Sequence, residues 1–84
     1  MNYTVTFKPE AIEQLGESWF TAGRSRAVTD AAASAERELK RDPVDDQTRR
    51  VEGLFVRAFP PLVFTFEKSD DDRIIVVVGV GLLR

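Results

Sequence analysis

Three arginines, Arg49, Arg50 and Arg57, stand close together in the second half of the chain, with the carboxylates Glu52 and Glu67 nearby. Gathered on one sheet face, their planar guanidinium groups suit bidentate contact with phosphate or with an acidic partner. A glutamate beside them is the kind of base that an attack on a phosphodiester requires. The same residues also read as a solvated strand face with loose ion pairs to Glu52 or Glu67. Arg57 is the strongest single candidate, because its neighbours Val56 and Ala58 can do no polar work. The chain has no histidine and no cysteine, so the commonest general base and the soft metal ligands are missing, and Tyr3 is its only tyrosine. Asp70, Asp71 and Asp72 offer oxygen ligands to a hard cation, but they lack the spaced ligands and the turn glycine of a calcium loop. They read as a solvated turn, and neither a metal nor a cofactor is expected.

A chain of 84 residues holds one domain, here taken as residues 1–84, and one core. A domain of that size buries only about 60% of the surface its unfolded chain exposes. Without cysteine its stability must come from packing, and a reducing cytoplasm fits that composition. The N-terminus lacks the basic and apolar regions of a signal peptide. No apolar run approaches the roughly 18 residues of a membrane span. A formal net charge of -2 argues against a surface that attracts nucleic acid overall.

The elements that must position these side chains follow from periodicity. Tyr3, Val5 and Phe7 alternate with Thr4 and Thr6, the pattern of a half-buried strand. Pro9, followed by Glu10 and Glu13, suits a first helical turn, so a helix is predicted to start near residue 9. Its apolar stripe is Ile12, Leu15 and Trp19, flanked by Ala11 and Phe20. Thr21 to Ser25 breaks the helix, with Ser25 as N-cap candidate for a second helix over about Arg26 to Arg41. That helix turns Val28, Ala32, Ala35 and Leu39 inward, with Ala31 alongside, and Asp42-Pro43 stops it. Residues 44–50 read as a loop. Val51 to Phe59, Leu62 to Glu67 and Arg73 to Leu83 read as strands, separated by Pro60-Pro61 and by Lys68 to Asp72. The predicted fold is α+β: an N-terminal strand, a two-helix hairpin and a three-stranded antiparallel meander, β-α-α-β-β-β, with both helices on one face.

That order and several local words resemble the RelE/ParE superfamily of bacterial toxins. The words are Val5-Thr6-Phe7-Lys8-Pro9-Glu10-Ala11, Arg26 to Ala32 with Leu39-Lys40-Arg41-Asp42-Pro43, Pro61 to Phe66, and Asp71 to Val77. The resemblance implies the toxin of a type II toxin–antitoxin module, encoded for plasmid stabilisation or a related role and silenced by a cognate antitoxin. It offers two activities: ribosome-dependent cleavage of messenger RNA in RelE-like members, and poisoning of DNA gyrase in ParE-like ones. RelE-like members place arginine on the third strand and tyrosine or histidine near the C-terminus. Here the corresponding third-strand position is Val63, and Val78 to Leu83 holds neither residue. The expectation is therefore a ParE-like protein that acts by protein binding and is not an enzyme. A divergent ribonuclease using Arg49, Arg50 and Arg57, and a non-toxic binding module or homodimer of the same fold, are the alternatives.

Partner binding points to other residues. Trp19 and Phe20 are adjacent on one helix and cannot both enter the core. Trp19 is assigned inward and Phe20 to an exposed apolar patch. Gly79 and Gly81 flank Val80 in the last strand. They leave either a flat strip against which an antitoxin segment could lie or a bulge. An antitoxin is expected to bury an amphipathic helix and to extend the sheet along an open edge.

Overall fold

A computed structural model describes residues 2–83. Its elements are β1 (Thr4–Phe7), α1 (Pro9–Thr21), α2 (Arg26–Arg41), β2 (Arg49–Val51), β3 (Leu54–Phe59), β4 (Leu62–Ser69) and β5 (Ile74–Leu82). They form a two-helix layer on a five-stranded sheet of order β1-β5-β4-β3-β2. The fold is the expected α+β arrangement with two additions. First, β1 pairs parallel to β5, from Thr4↔Ile74 to Phe7↔Val77, so the sheet is mixed. Second, the segment read as a single strand from Val51 is a hairpin. Residues 49–51 fold back on β3, and Glu52 and Gly53 form a two-residue turn, with φ of 51° and 82°.

Positive φ at both central residues is the tight hairpin geometry whose twist matches the flanking strands. Glycine takes it freely, whereas a Cβ there is strained. Gly53→Ala should therefore cost about 1 kcal/mol, read as a lower midpoint in urea unfolding. The turn is exposed, so the expected loss comes from the backbone and not from packing.

The helices begin and end as their sequences dictate. Pro9 occupies the first turn of α1. The Ser25 hydroxyl caps α2 by accepting from the Ala27 N–H at 3.1 Å, and Asp42 and Pro43 end it. Helix α2 buries Val28, Ala31, Ala35 and Leu39. In α1 the buried residues are Ala11 and Ser18, and Ile12, expected in the core stripe, is 58% exposed. The small side chains at 11 and 18 let α1 lie close on β5, which rotates Ile12 away from the sheet. The core is completed by Phe59, Leu62, Phe64, Phe66, Ile75, Val77 and Val80.

The strand register explains the two glycines. Thr65 pairs with Gly79 but Phe66 with Val77, so Val78 is an extra residue, a β-bulge. The bulge resets the alternation of β5. Ile75 and Val77 face the helices before it and Val80 faces them after it, which leaves Gly79 and Gly81 on the opposite face.

Candidate functional site

The three arginines do not converge. Arg49 pairs with Val56 and Arg50 with Phe55, so successive residues of β2 point to opposite faces of the sheet. Arg49 lies on the helix-free face, exposed. Arg50 lies on the helix side, its guanidinium 4.8 Å from the centre of the Phe55 ring. Glu52 is in the hairpin turn, and Glu67 is exposed on β4 opposite Val76. No set of Arg49, Arg50 and Arg57 with a glutamate base is assembled.

Arg57, assigned above to phosphate or a partner, is corrected by its surroundings. It is 8% exposed. Its guanidinium donates to the carbonyls of Asp42 at 2.7 Å and Pro43 at 3.1 Å. It also pairs with the Asp45 carboxylate at 3.0 Å and stands 3.9 Å from Glu38. Beneath it lies the Phe59 ring, 4.7 Å to the centroid. The alternation Phe55, Arg57, Phe59 turns the side chain toward the helices, where it ties the end of α2 and the loop after it to β3. For Asp45, partial desolvation acts to raise the carboxyl. Hydrogen bonds from the Thr48 hydroxyl and the Gln47 N–H, together with the Arg57 charge, outweigh that and hold it below its ordinary value.

At the β4–β5 tip Asp70 and Asp72 are tied into the turn, Asp72 by Ser69. Asp70 Oδ1 accepts from the Tyr3 hydroxyl at 2.7 Å and from Lys68 Nζ at 2.9 Å. Lys68 and Arg73 both lie against the Tyr3 ring. The Tyr3 hydrogen bond, then that from Lys68, holds the Asp70 carboxyl below its ordinary value. The bond to Asp70 likewise holds Lys68 above its own, against some desolvation. Stabilisation from the two depressed carboxyls is complete above about pH 4 and lost as pH falls below it, whereas that from Lys68 is lost only above about pH 10.4. Urea midpoints should hence be level between pH 6 and 9 and fall on acidification below about pH 4. Asp70→Asn should flatten part of that acid limb. Among the described residues no group of three or more acidic side chains is placed to hold a metal ion.

Two surfaces expose apolar side chains or bare backbone. Between α1 and α2 runs an apolar groove of about 370 Å³ lined by Ile12, Leu15, Gly16, Trp19, Val28, Thr29 and Ala32. Gly16 leaves its floor open, since a Cβ there would meet nothing within 4 Å. At its end Phe20 is 63% exposed and packs edge to face with Trp19, and Arg24 lies over both rings. Leu15 packs against the core as its place in the stripe implies, whereas Ile12, expected in the same stripe, opens to this groove. Adjacent Trp19-Phe20 with an unneeded Ile12 was the available signal. The second surface is the helix-free sheet face, where Val56, Val63, Thr65 and Val76 accompany Gly79 and Gly81. Among the described residues no helix is long and apolar enough to cross a membrane.

No protein-family model matches the chain, and no curated protein sequence matches it. Solved structures do. The toxin–antitoxin complex RelBE2 of Mycobacterium tuberculosis superposes with a TM-score of 0.77 at 20% identity, covering 98% of this chain and 99% of that one. The archaeal RelE–RelB complex of Pyrococcus horikoshii gives 0.74 at 13% identity, covering 98% and 96%. A free E. coli RelE toxin mutant gives 0.73 at 14% identity, covering 98% and 84%. The chain thus has the fold of the RelE-like toxins over essentially its whole described length.

Proposed function

We propose that this protein is the toxin component of a bacterial type II toxin–antitoxin module, acting by protein binding and neutralised by a cognate antitoxin in the cytoplasm. The observation that carries the reading is the apolar α1–α2 groove on a fold shared with toxins solved in complex with their antitoxins. A groove lined by Ile12, Leu15, Trp19, Val28 and Ala32, with Phe20 at its end, fits the apolar face of an amphipathic helix. Support for binding over cleavage comes from the helix-free sheet face. Val56, Val63, Gly79 and Gly81 there offer apolar shape to a protein surface, and Glu67 on the same face makes no ion pair with Arg49 or Arg50 among the described residues. DNA gyrase is the target that a ParE-like mode of action implies, with Gly79 and Gly81 in the contact.

A second reading, messenger RNA cleavage on the ribosome, is favoured by the RelE identity of the matching structures. It would rely on Arg49, exposed on the helix-free face.

Inducing the chain alone in bacteria should arrest growth, and co-expression of the neighbouring small reading frame should restore viable counts. Ile12→Arg, placed in the groove at an exposed position, should keep the arrest and abolish the rescue. Supercoiling of plasmid DNA and the integrity of translated messages in arrested cells separate the two activities. Failure of arrest with folded protein present would remove the toxin reading.

A further inference from the structure

Strand β5 uses its two edges unequally. On one side β4 pairs with it from Ile74 to Leu82. On the other, β1 pairs only with Ile74 to Val77, and the Lys8 N–H adds one more bond to the Val77 carbonyl at 2.9 Å. Beyond that point β5 continues without a strand neighbour on this side among the described residues. The Leu83 N–H bonds the Pro61 carbonyl beside β4 at 2.8 Å, so by alternation the N–H groups of Leu82 and Val80 point to the open edge. At Val80 this orientation is directly observed. Its N–H donates at 2.8 Å to Oε1 of Gln14, a side chain from α1.

A side-chain amide oxygen here takes the position that the backbone carbonyl of a neighbouring strand would take. Gly79 lies beside this contact, where a Cβ would come 3.4 Å from Gln14 Oε1, within ordinary packing distance. Beside this contact, a groove of about 480 Å³ runs between α1 and β5, lined by Gln14, Glu17, Ser18 and Thr21 on one side and residues 80–83 on the other. At about 3.3 Å per residue, that length of strand edge takes an extended segment of about four residues.

We infer that the edge of β5 from Val80 to Leu82 is a strand-addition site for a short, basic, extended peptide, and that Gln14 closes it in the free protein by standing in for the incoming carbonyl. Charge selects the occupant. Glu17 of α1 lines the groove, and the same helix carries Glu10 and Glu13 beyond it and no cationic residue. A second copy pairing through the same edge would bring two such helices together, which like charge opposes. A peptide with lysines flanking a β-forming centre meets the acidic rim with opposite charge and supplies the backbone pairing that edge addition uses. The site is separate from the α1–α2 groove and does not depend on toxicity.

The test is a titration of ¹⁵N-labelled protein with the peptide acetyl-Lys-Val-Thr-Val-Lys-amide and with its counterpart in which both lysines are glutamate. Binding of the lysine peptide should move the Val80 and Leu82 amide resonances, while the glutamate peptide should leave them in place. In Gln14→Ala, and in Gln14→Met, which keeps the length of the side chain, affinity should rise roughly fivefold, the equivalent of one hydrogen bond no longer in competition. Hydrogen exchange at Val80 in the free variants should quicken by a similar factor. Shifts confined to other strands, no shift in any of the three proteins, or affinity unchanged by both Gln14 substitutions would overturn the proposal.

Discussion

Replacing Phe64 with alanine should bring the folded state close to its limit of stability. Phe64 lies on β4, the middle strand of the sheet, and is fully buried. Its ring meets Phe7 of β1 edge-on at 6.4 Å and Phe59 of β3 at 5.6 Å, so one side chain joins strands on both sides of the centre. Truncating a buried phenylalanine costs about 3–5 kcal/mol in lost transfer energy and residual cavity. A chain of 84 residues has in total only about 4–13 kcal/mol at its disposal. Urea unfolding should show the midpoint falling by more than 1 M, given a slope of about 1–3 kcal/mol per molar. Phe64→Leu, which refills much of the volume, should lose distinctly less. A loss of under about 1 kcal/mol for the alanine variant would mean that the helices settle into the gap.

Arg57→Ala should follow, with a loss of about 2–4 kcal/mol. The substitution removes the donor to the carbonyls of Asp42 and Pro43 and the countercharge to Asp45 and Glu38, all at one point between α2 and β3. The two carboxylates are partly exposed and rehydrate, which keeps the cost below that of a wholly buried pair. Arg57→Lys should recover part of it, since an ammonium restores the charge but cannot span four acceptors with a fixed fork. In a double-mutant cycle with Asp45→Asn the two losses should fall short of adding, because both changes break the same contact. One practical consequence concerns growth assays. Lost arrest on Arg57→Ala reports lost fold unless the amount of folded protein is measured beside it.

How much could be read in advance differs from element to element for physical reasons. Helix α2 was legible at both ends because its signals are local: a serine whose hydroxyl reaches a backbone N–H two residues on, and a proline that cannot continue the helix. The β2–β3 hairpin was hidden because its turn begins with Glu52, a residue type with no preference for positive φ, inside an otherwise strand-like run. The bulge at Val78 left no mark, since valine suits either side of it. Pairing of β1 with β5 depends on contacts between the two ends of the chain, and four residues of alternation cannot say which strand they join.

Arg57 is the instructive case at the candidate site. Spacing of Phe55, Arg57 and Phe59 already placed the arginine on the inward face, while its acceptors, two backbone carbonyls after α2, are invisible to any reading of residue type. The α1–α2 groove was obscured in the opposite sense. Ile12 satisfies the helical period of a core residue, yet the close approach of Ala11 and Ser18 to the sheet sets a different inward direction.

The place of β5 between β1 and β4 also sets a schedule for synthesis. Strand β1 is made first and its partner last, so Thr4 to Phe7 must wait for nearly the whole chain before they can be zipped into the sheet. Contacts so far apart in sequence form slowly, because the intervening loop has to be closed before they stabilise anything. The α1–α2 hairpin emerges early and has no finished sheet to lie on. Until β5 is made the sheet lacks the strand that joins β1 to β4, so the helices have only part of their layer to lie on.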